Sequence, residues 1–284
     1  LPSTIDIRRR IRSVKNTQQI TKAMKMVSAA KLRRAQERML AARPYAGGLR
    51  EILASVAARV EAVDHPLLKE REENRVLLIV VTSDKGLCGA FNTNIIKIAQ
   101  NTIRDKHWPE VQLMPIGRKA VEFFKRRTIP IRHQALGVFQ ALTPAVSQEL
   151  SKIIVDDYVE EKIDAVYVVY NEFKSIIQQN LRVEKLLPIA RMEIKDETGI
   201  DYLYEPGPME ILNALLPRYV QFQLHRILLE SNAAEHGARM TAMEAATKNA
   251  SEMIDSLTLT YNRIRQAAIT KEIIEIVSGA SALD

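Results

Sequence analysis

Apolar residues in the last quarter of the chain fall at Ala250, Ile254, Leu257, Tyr261, Ile264 and Ala268, in alternating steps of four and three. This spacing keeps one stripe facing a partner helix, so about Pro208 to Ser278 is predicted as one uninterrupted helix with a coiled-coil seam. Pro208 suits a first helical turn, Glu210 favours the positive helix terminus, and Gly279 is the expected stop. About 70 residues at roughly 1.5 Å each make a rod on the order of 100 Å, too long for a compact core of this size. Pro217 and Gly237 are expected to bend it locally.

The other end carries a second seam. Ser3 with Asp6 is a weakened capping box, and Ile7, Ile11, Val14, Gln18, Thr21, Lys25, Ser28, Leu32, Ala35, Met39 and Ala42 keep the four-three rhythm. The middle of this seam is polar, and a second apolar stripe of Ile20, Ala23, Met24, Val27 and Ala30 is expected to take over there. After a bend at Pro44, Leu49, Ile52, Leu53, Val56 and Val60 carry the helix to about Arg59. Two long seams at opposite ends of one chain predict terminal helices wound together antiparallel, with the middle of the chain as a head at one end.

Between them the period changes. Asp64-His65-Pro66 and the charged run Lys69 to Arg75 read as a linker, and Val76 to Val81 is a β-branched run suited to a strand buried on both faces. Further strands are predicted at Val111–Ile116, Ile129–Ala135, Ala165–Val169 and Leu181–Leu187, with helices at Asn94–Asp105, Arg118–Arg126 and Pro144–Glu160. The fold class is therefore α/β: a long antiparallel coiled coil of the N- and C-terminal helices plus an inserted Rossmann-like open sheet domain of doubly wound type. The expected divisions are 1–60, 61–207 and 208–284.

Composition sharpens this only through charge. Of the 284 residues and net charge of +7, residues 1–60 hold an excess of +11, while each of the other two divisions is at −2, so an acidic partner is expected for the first segment alone. No stretch of 18 apolar residues spans a bilayer. The single cysteine, Cys88, cannot form an internal disulfide, which fits a reducing compartment.

Candidate chemistry is sparse. The turn Thr82-Ser83-Asp84-Lys85-Gly86-Leu87-Cys88-Gly89 follows the first strand, where doubly wound folds place a phosphate, yet it matches neither GxGxxG nor GxxxxGK[ST] and is preferred as a structural turn. His65, His107, His133, His225 and His236 lack HxxxH and HExxH spacing, so no metal is expected. Scattered carboxylates nominate no acid/base pair. Arg8, Arg9, Arg10, Arg12 and Lys15 could track phosphates, but without aromatic residues in the first forty a protein-facing basic helix is preferred. Arg265, Gln266 and Thr270 lie off the main seam, where a third surface could grip them.

Four motifs in order carry a resemblance: Ile20-Thr21-Lys22-Ala23-Met24-Lys25-Met26-Val27; Ser83 to Gly89; Ala238-Arg239-Met240-Thr241-Ala242-Met243; and Tyr261 to Glu272 with Glu275 to Ala280. Over its whole length the chain resembles the gamma subunit of F-type ATP synthases. The resemblance implies a non-catalytic central rotor shaft without a cofactor, standing in a ring of alpha and beta subunits and joined at its foot to the epsilon subunit and the c-subunit ring. Proton or sodium flow would turn that ring and drive the beta catalytic sites through their cycle. By position, Arg265, Gln266, Thr270, Arg33 and Met24 would contact beta. Arg8, Arg9 and Arg10 would face the ring interior, and Tyr202, Tyr204 and Glu205 would form the epsilon and c-ring foot. The polar positions Gln18 and Lys25 would keep the shaft from binding its ring too tightly to turn.

Lys85 stands where the family usually has Arg, and the chloroplast-type insert with its cysteine pair is absent. Tyr202-Leu203-Tyr204-Glu205-Pro206 resembles the bacterial type, implying a peripheral place on the cytoplasmic face of the cell membrane; a eukaryotic chain would sit at the mitochondrial inner membrane, matrix side. The rival readings are a nucleotide-binding α/β enzyme with helical extensions and a basic coiled-coil adaptor for nucleic acid.

Overall fold

The computed structural model describes residues 3–59, 65–176, 178–190 and 207–280. The elements are α1 (Thr4–Arg59), β1 (Arg75–Val81), α2 (Phe91–Lys106), β2 (Glu110–Ile116), α3 (Arg118–Phe124), α4 (Pro144–Val159), β3 (Ala165–Phe173), β4 (Gln179–Leu187) and α5 (Pro208–Ala280). Described residues up to 28 and from 239 form one compact unit, and those within 29–238 form another.

In the first unit α1 begins as its sequence directs. Asp6 N donates to Ser3 Oγ at 3.2 Å, and Ser3 N returns a bond to Asp6 Oδ2 at 3.4 Å, so two amides at a helix start are satisfied reciprocally. The Asp6 carboxyl is held below its ordinary range by the Ser3 bonds, with Arg9 and Arg10 adding to the effect. Positions 7, 11, 14, 18, 21, 25 and 28 of α1 and 243, 247, 250, 254, 257, 261 and 264 of α5 are all buried or half-buried. The second stripe does not take over: Ile20, Ala23, Val27 and Ala30 are exposed, and only Met24 is half-covered. Thr21 and Ser28 carry the contact instead, because a polar side chain can enter a helix–helix seam when it finds a partner there. Gly279 is not a stop, since α5 runs through it to Ala280; one glycine costs a helix only about 1 kcal/mol.

The second unit holds a four-stranded sheet in the order β2-β1-β3-β4, with β1 parallel to β2 and β3, and β4 antiparallel to β3. Ile129–Ala135 is not a strand. It makes only two parallel bridges, Leu113 with Ile131 and Ile116 with Ala135, and Pro130 lacks the donor a ladder needs.

Strand residues point alternately to the two faces. Leu77, Ile79 and Val81 join a core with Ile154 and Tyr158 of α4, Leu49 and Leu53 of α1, and Leu212, Leu216, Val220, Leu224, Ile227 and Leu228 of α5. α2 buries Phe91, Ile95 and Ala99 outside that cluster, while β1 also buries Val76, Leu78 and Val80, so the sheet is covered on both faces.

Candidate functional site

The turn after β1 closes on its own side chains. Ser83 N donates to Asn92 Oδ1 at 3.0 Å, and Asn92 Nδ2 donates to Ser83 Oγ at 2.9 Å and Cys88 Sγ at 3.2 Å. Thr82 Oγ1 accepts Ala120 N at 2.9 Å, and Asp84 Oδ1 accepts Arg118 N at 3.0 Å and Gly137 N at 3.2 Å. A phosphate at this crevice would need such amides. Here a fixed carboxylate already uses them, and its charge repels a second anion.

Two other polar clusters brace the sheet unit. Asp157 accepts Arg132 Nε at 2.6 Å on Oδ2 and Arg132 Nη2 at 2.8 Å on Oδ1, with His133 Nε2 at 2.7 Å from the same Oδ2. The Arg132 bonds, followed by His133, outweigh burial and lower the Asp157 carboxyl to about 2. On α5, burial pushes the Glu230 carboxyl up against the opposing effect of Arg226, which also donates to Glu184 at 2.7 Å. His225 meets Ser147 Oγ at 2.8 Å, and burial lowers its basicity. These are bracing contacts within a packed unit. Among the described residues no three His, Cys, Asp or Glu side chains are grouped to hold a metal.

The helix unit is built differently. Arg8 Nη2 donates to Tyr261 Oη at 2.6 Å with its guanidinium over the ring, Thr21 and Thr247 hydroxyls meet at 2.8 Å, and Lys25 Nζ sits 2.6 Å from Glu244 Oε1. As the α1 number rises from 8 to 25 its partner's falls from 261 to 244, so these segments run antiparallel. Lys25 and Thr21 spend their polarity on α5. The polar middle of the seam is thus satisfied inside the helix pair, which sequence reasoning assigned to the surroundings; complementary Lys and Glu at facing positions were the available signal.

Past Ile264 the helix emerges. Every residue from 265 to 278 is exposed, including Arg265, Gln266 and Thr270 within one and a half turns of helix, together with Ile273, Ile274, Ile276 and Val277. The sequence nominated the polar three and missed the isoleucines, whose signal was that they continue past the last seam position. Arg33 is exposed and pairs with Glu37 at 3.1 Å, while Met24 is half-buried. Arg9 and Arg10 are exposed beside the engaged Arg8. Tyr202, Tyr204 and Glu205 lie outside the described residues.

Known proteins resemble this chain along its length. A family model described as ATP synthase matches residues 3–283. The ATP synthase gamma chain of Solibacter usitatus is 52% identical over 288 residues, covering 100% of both chains, and that of Chlorobaculum parvum is 50% identical over 100% of this chain and 99% of its own. Among solved structures, a Euglena gracilis mitochondrial ATP synthase chain (OSCP/F1/c-ring) aligns with a TM-score of 0.68 at 20% identity, over 99% of this chain and 94% of its own. A Tetrahymena thermophila mitochondrial ATP synthase chain (central stalk/c-ring) gives 0.63 at 24% identity, over 80% and 99%. With half its residues shared along the full length of bacterial relatives, this chain belongs to the gamma-chain family of ATP synthases.

Proposed function

We propose that the chain is the non-catalytic central shaft of a rotary ATP synthase, transmitting rotation of a c-subunit ring to the beta catalytic sites. The observation that carries this reading, within the family, is the fully exposed run 265–278, where five large apolar side chains flank Arg265, Gln266 and Thr270. A soluble helix leaves such a surface bare when another protein covers it. The covering partners are the alpha and beta subunits, with Arg33 and the Met24 region as further beta contacts and Arg9 and Arg10 on the ring-interior face.

The paired terminal segments are an antiparallel coiled coil, residues 1–60 and 208–284 supplying its helices and 61–207 forming an inserted Rossmann-like domain. Tyr202, Tyr204 and Glu205 serve the foot on epsilon and the c ring, at the cytoplasmic face of the membrane. Because the shaft differs from side to side, each surrounding site meets different contacts at any moment. A difference in contact free energy between conformations of beta is what rotation exchanges, and it biases each site in turn.

The test is Arg265→Ala with Gln266→Ala in the assembled complex. Coupled ATP synthesis falls while the isolated chain keeps its circular dichroism and melting temperature, since both side chains are exposed. Unchanged synthesis and hydrolysis would sink the role given to these two residues. The nucleotide-enzyme reading fares worse, because Asp84 occupies the crevice; equilibrium dialysis with ATP should give no saturable micromolar binding.

A further inference from the structure

The β2 side of the sheet ends in an unfinished edge. Leu113 N donates to Pro130 O at 2.8 Å, Arg132 N to Leu113 O at 2.9 Å, Ala135 N to Pro115 O at 3.1 Å, and Gly117 N to Ala135 O at 2.8 Å. These bonds lay residues 130–135 along β2 and leave the amide and carbonyl of Ile131 facing away from it. Neither those groups nor the main chain of His133 meets a hydrogen-bond partner among the described residues. An incoming extended chain pairs with such groups.

Along this edge runs an open groove of about 480 Å3, with Phe124, Ile129 and Ile131 as its apolar lining and Lys125, Arg127 and His133 among its polar groups. Its charge is one-sided. Lys125, Arg126 and Arg127 are consecutive and exposed, and none pairs with a carboxylate among the described residues. The nearby carboxylate of Asp157 is already taken by Arg132 and His133. Cations beside a free edge repel a second copy of the same edge, which guards against self-pairing. The same cations admit an acidic strand.

We propose that the 130–135 edge is a docking site for an extended acidic segment of a partner protein, added as one more strand with its carboxylates over Lys125, Arg126 and Arg127. Alternation along a strand sends every second side chain to one face. The fitting segment therefore alternates acidic residues, turned toward Lys125 and Arg127 in the groove, with residues that face away from it.

The experiment is fluorescence anisotropy of the full chain with a labelled Val-Glu-Val-Glu-Val-Glu-Val peptide. Saturable binding is expected, weakened about tenfold or more by Lys125→Glu with Arg127→Glu, whose side chains are exposed and whose replacement leaves the melting temperature in place. The same peptide N-methylated at alternate amides keeps its charge but loses strand pairing, and should also bind about tenfold more weakly. No saturation up to about 1 mM would overturn the proposal. So would equal binding by the N-methylated peptide together with full displacement by tripolyphosphate, which would reveal attraction of anions and no added strand.

Discussion

Residues 219–240 and 265–278 belong to the same helix, yet none of the first is exposed and every one of the second is. The first stretch buries Val220, Leu224, Ile227, Leu228, Ala233 and Ala234, and polar groups on it are taken up inside the unit, as Arg226 is by Glu184 and Glu230 and His225 by Ser147. The second alternates Arg265, Gln266, Lys271 and Glu275 with isoleucines that are exposed among the described residues. Helix formation is thus common to both, and burial separates a stretch that holds the protein together from one that is left to meet others. The same contrast divides the sheet unit, with its dense apolar core, from the helix unit, joined by a narrow seam and a few polar pairs.

The sheet unit should therefore break easily at single points. Gly117 has φ +93° at the start of α3, and a Cβ there would stand 2.1 Å from Thr82 O. Gly117→Ala is expected to cost about 4 kcal/mol through steric overlap and a strained backbone. Trp108, the only tryptophan, lies in this unit, so denaturant unfolding followed by its fluorescence reads the loss directly. A shift under about 1 kcal/mol would mean the junction yields more readily than its packing implies.

Asp157→Asn comes next, at about 3 kcal/mol, because Arg132 keeps its charge and loses its counterion. The pH dependence has a fixed sign. The Asp157 carboxyl is lowered from 3.8 to about 2 in the folded chain, so the stabilisation it brings is present above pH 3.8 and is lost as pH falls through about 2. Acid titration of Trp108 fluorescence should show that loss in the parent and a flatter profile in Asp157→Asn.

The helix unit should respond less. Lys25→Ala removes a partly exposed pair with Glu244 and should cost less than about 1 kcal/mol, shrinking further in high salt. Ile273→Ser with Ile276→Ser should change stability by no more than about 0.5 kcal/mol in the isolated chain, because both side chains already face solvent. A large drop in melting temperature for the isoleucine pair would show that they are covered within the chain itself, and the contrast along α5 would fail.

Much of the fold was legible because periodicity is local. The four-three rhythm marked both terminal helices, and Val76 to Val81 announced a central strand flanked by helices on both faces. Ile129–Ala135 misled for a nonlocal reason: an apolar run looks like a strand until its neighbours are known, and Pro130 limits it to two bridges. The second stripe from Ile20 to Ala30 misled in the opposite sense, since apolarity was taken as contact where Thr21 and Ser28 make it. In the candidate surface, Arg265, Gln266 and Thr270 were visible as residues off the seam, whereas the bond from Arg8 to Tyr261 joins positions that no window on the sequence brings together.

By itself the sequence determined the two long terminal helices and their four-three seams, the central strand Val76 to Val81, and the family to which four ordered motifs point. These follow from short-range sterics and from side-chain spacing along a regular backbone. Only the tertiary structure decided that Asp84 fills the crevice after β1, that the polar seam is paired from Thr21 to Thr247, and that residues 219–240 of α5 are enclosed while residues 265–278 are exposed. Those outcomes depend on which distant surfaces meet, and burial and hydrogen-bond satisfaction are properties of that meeting.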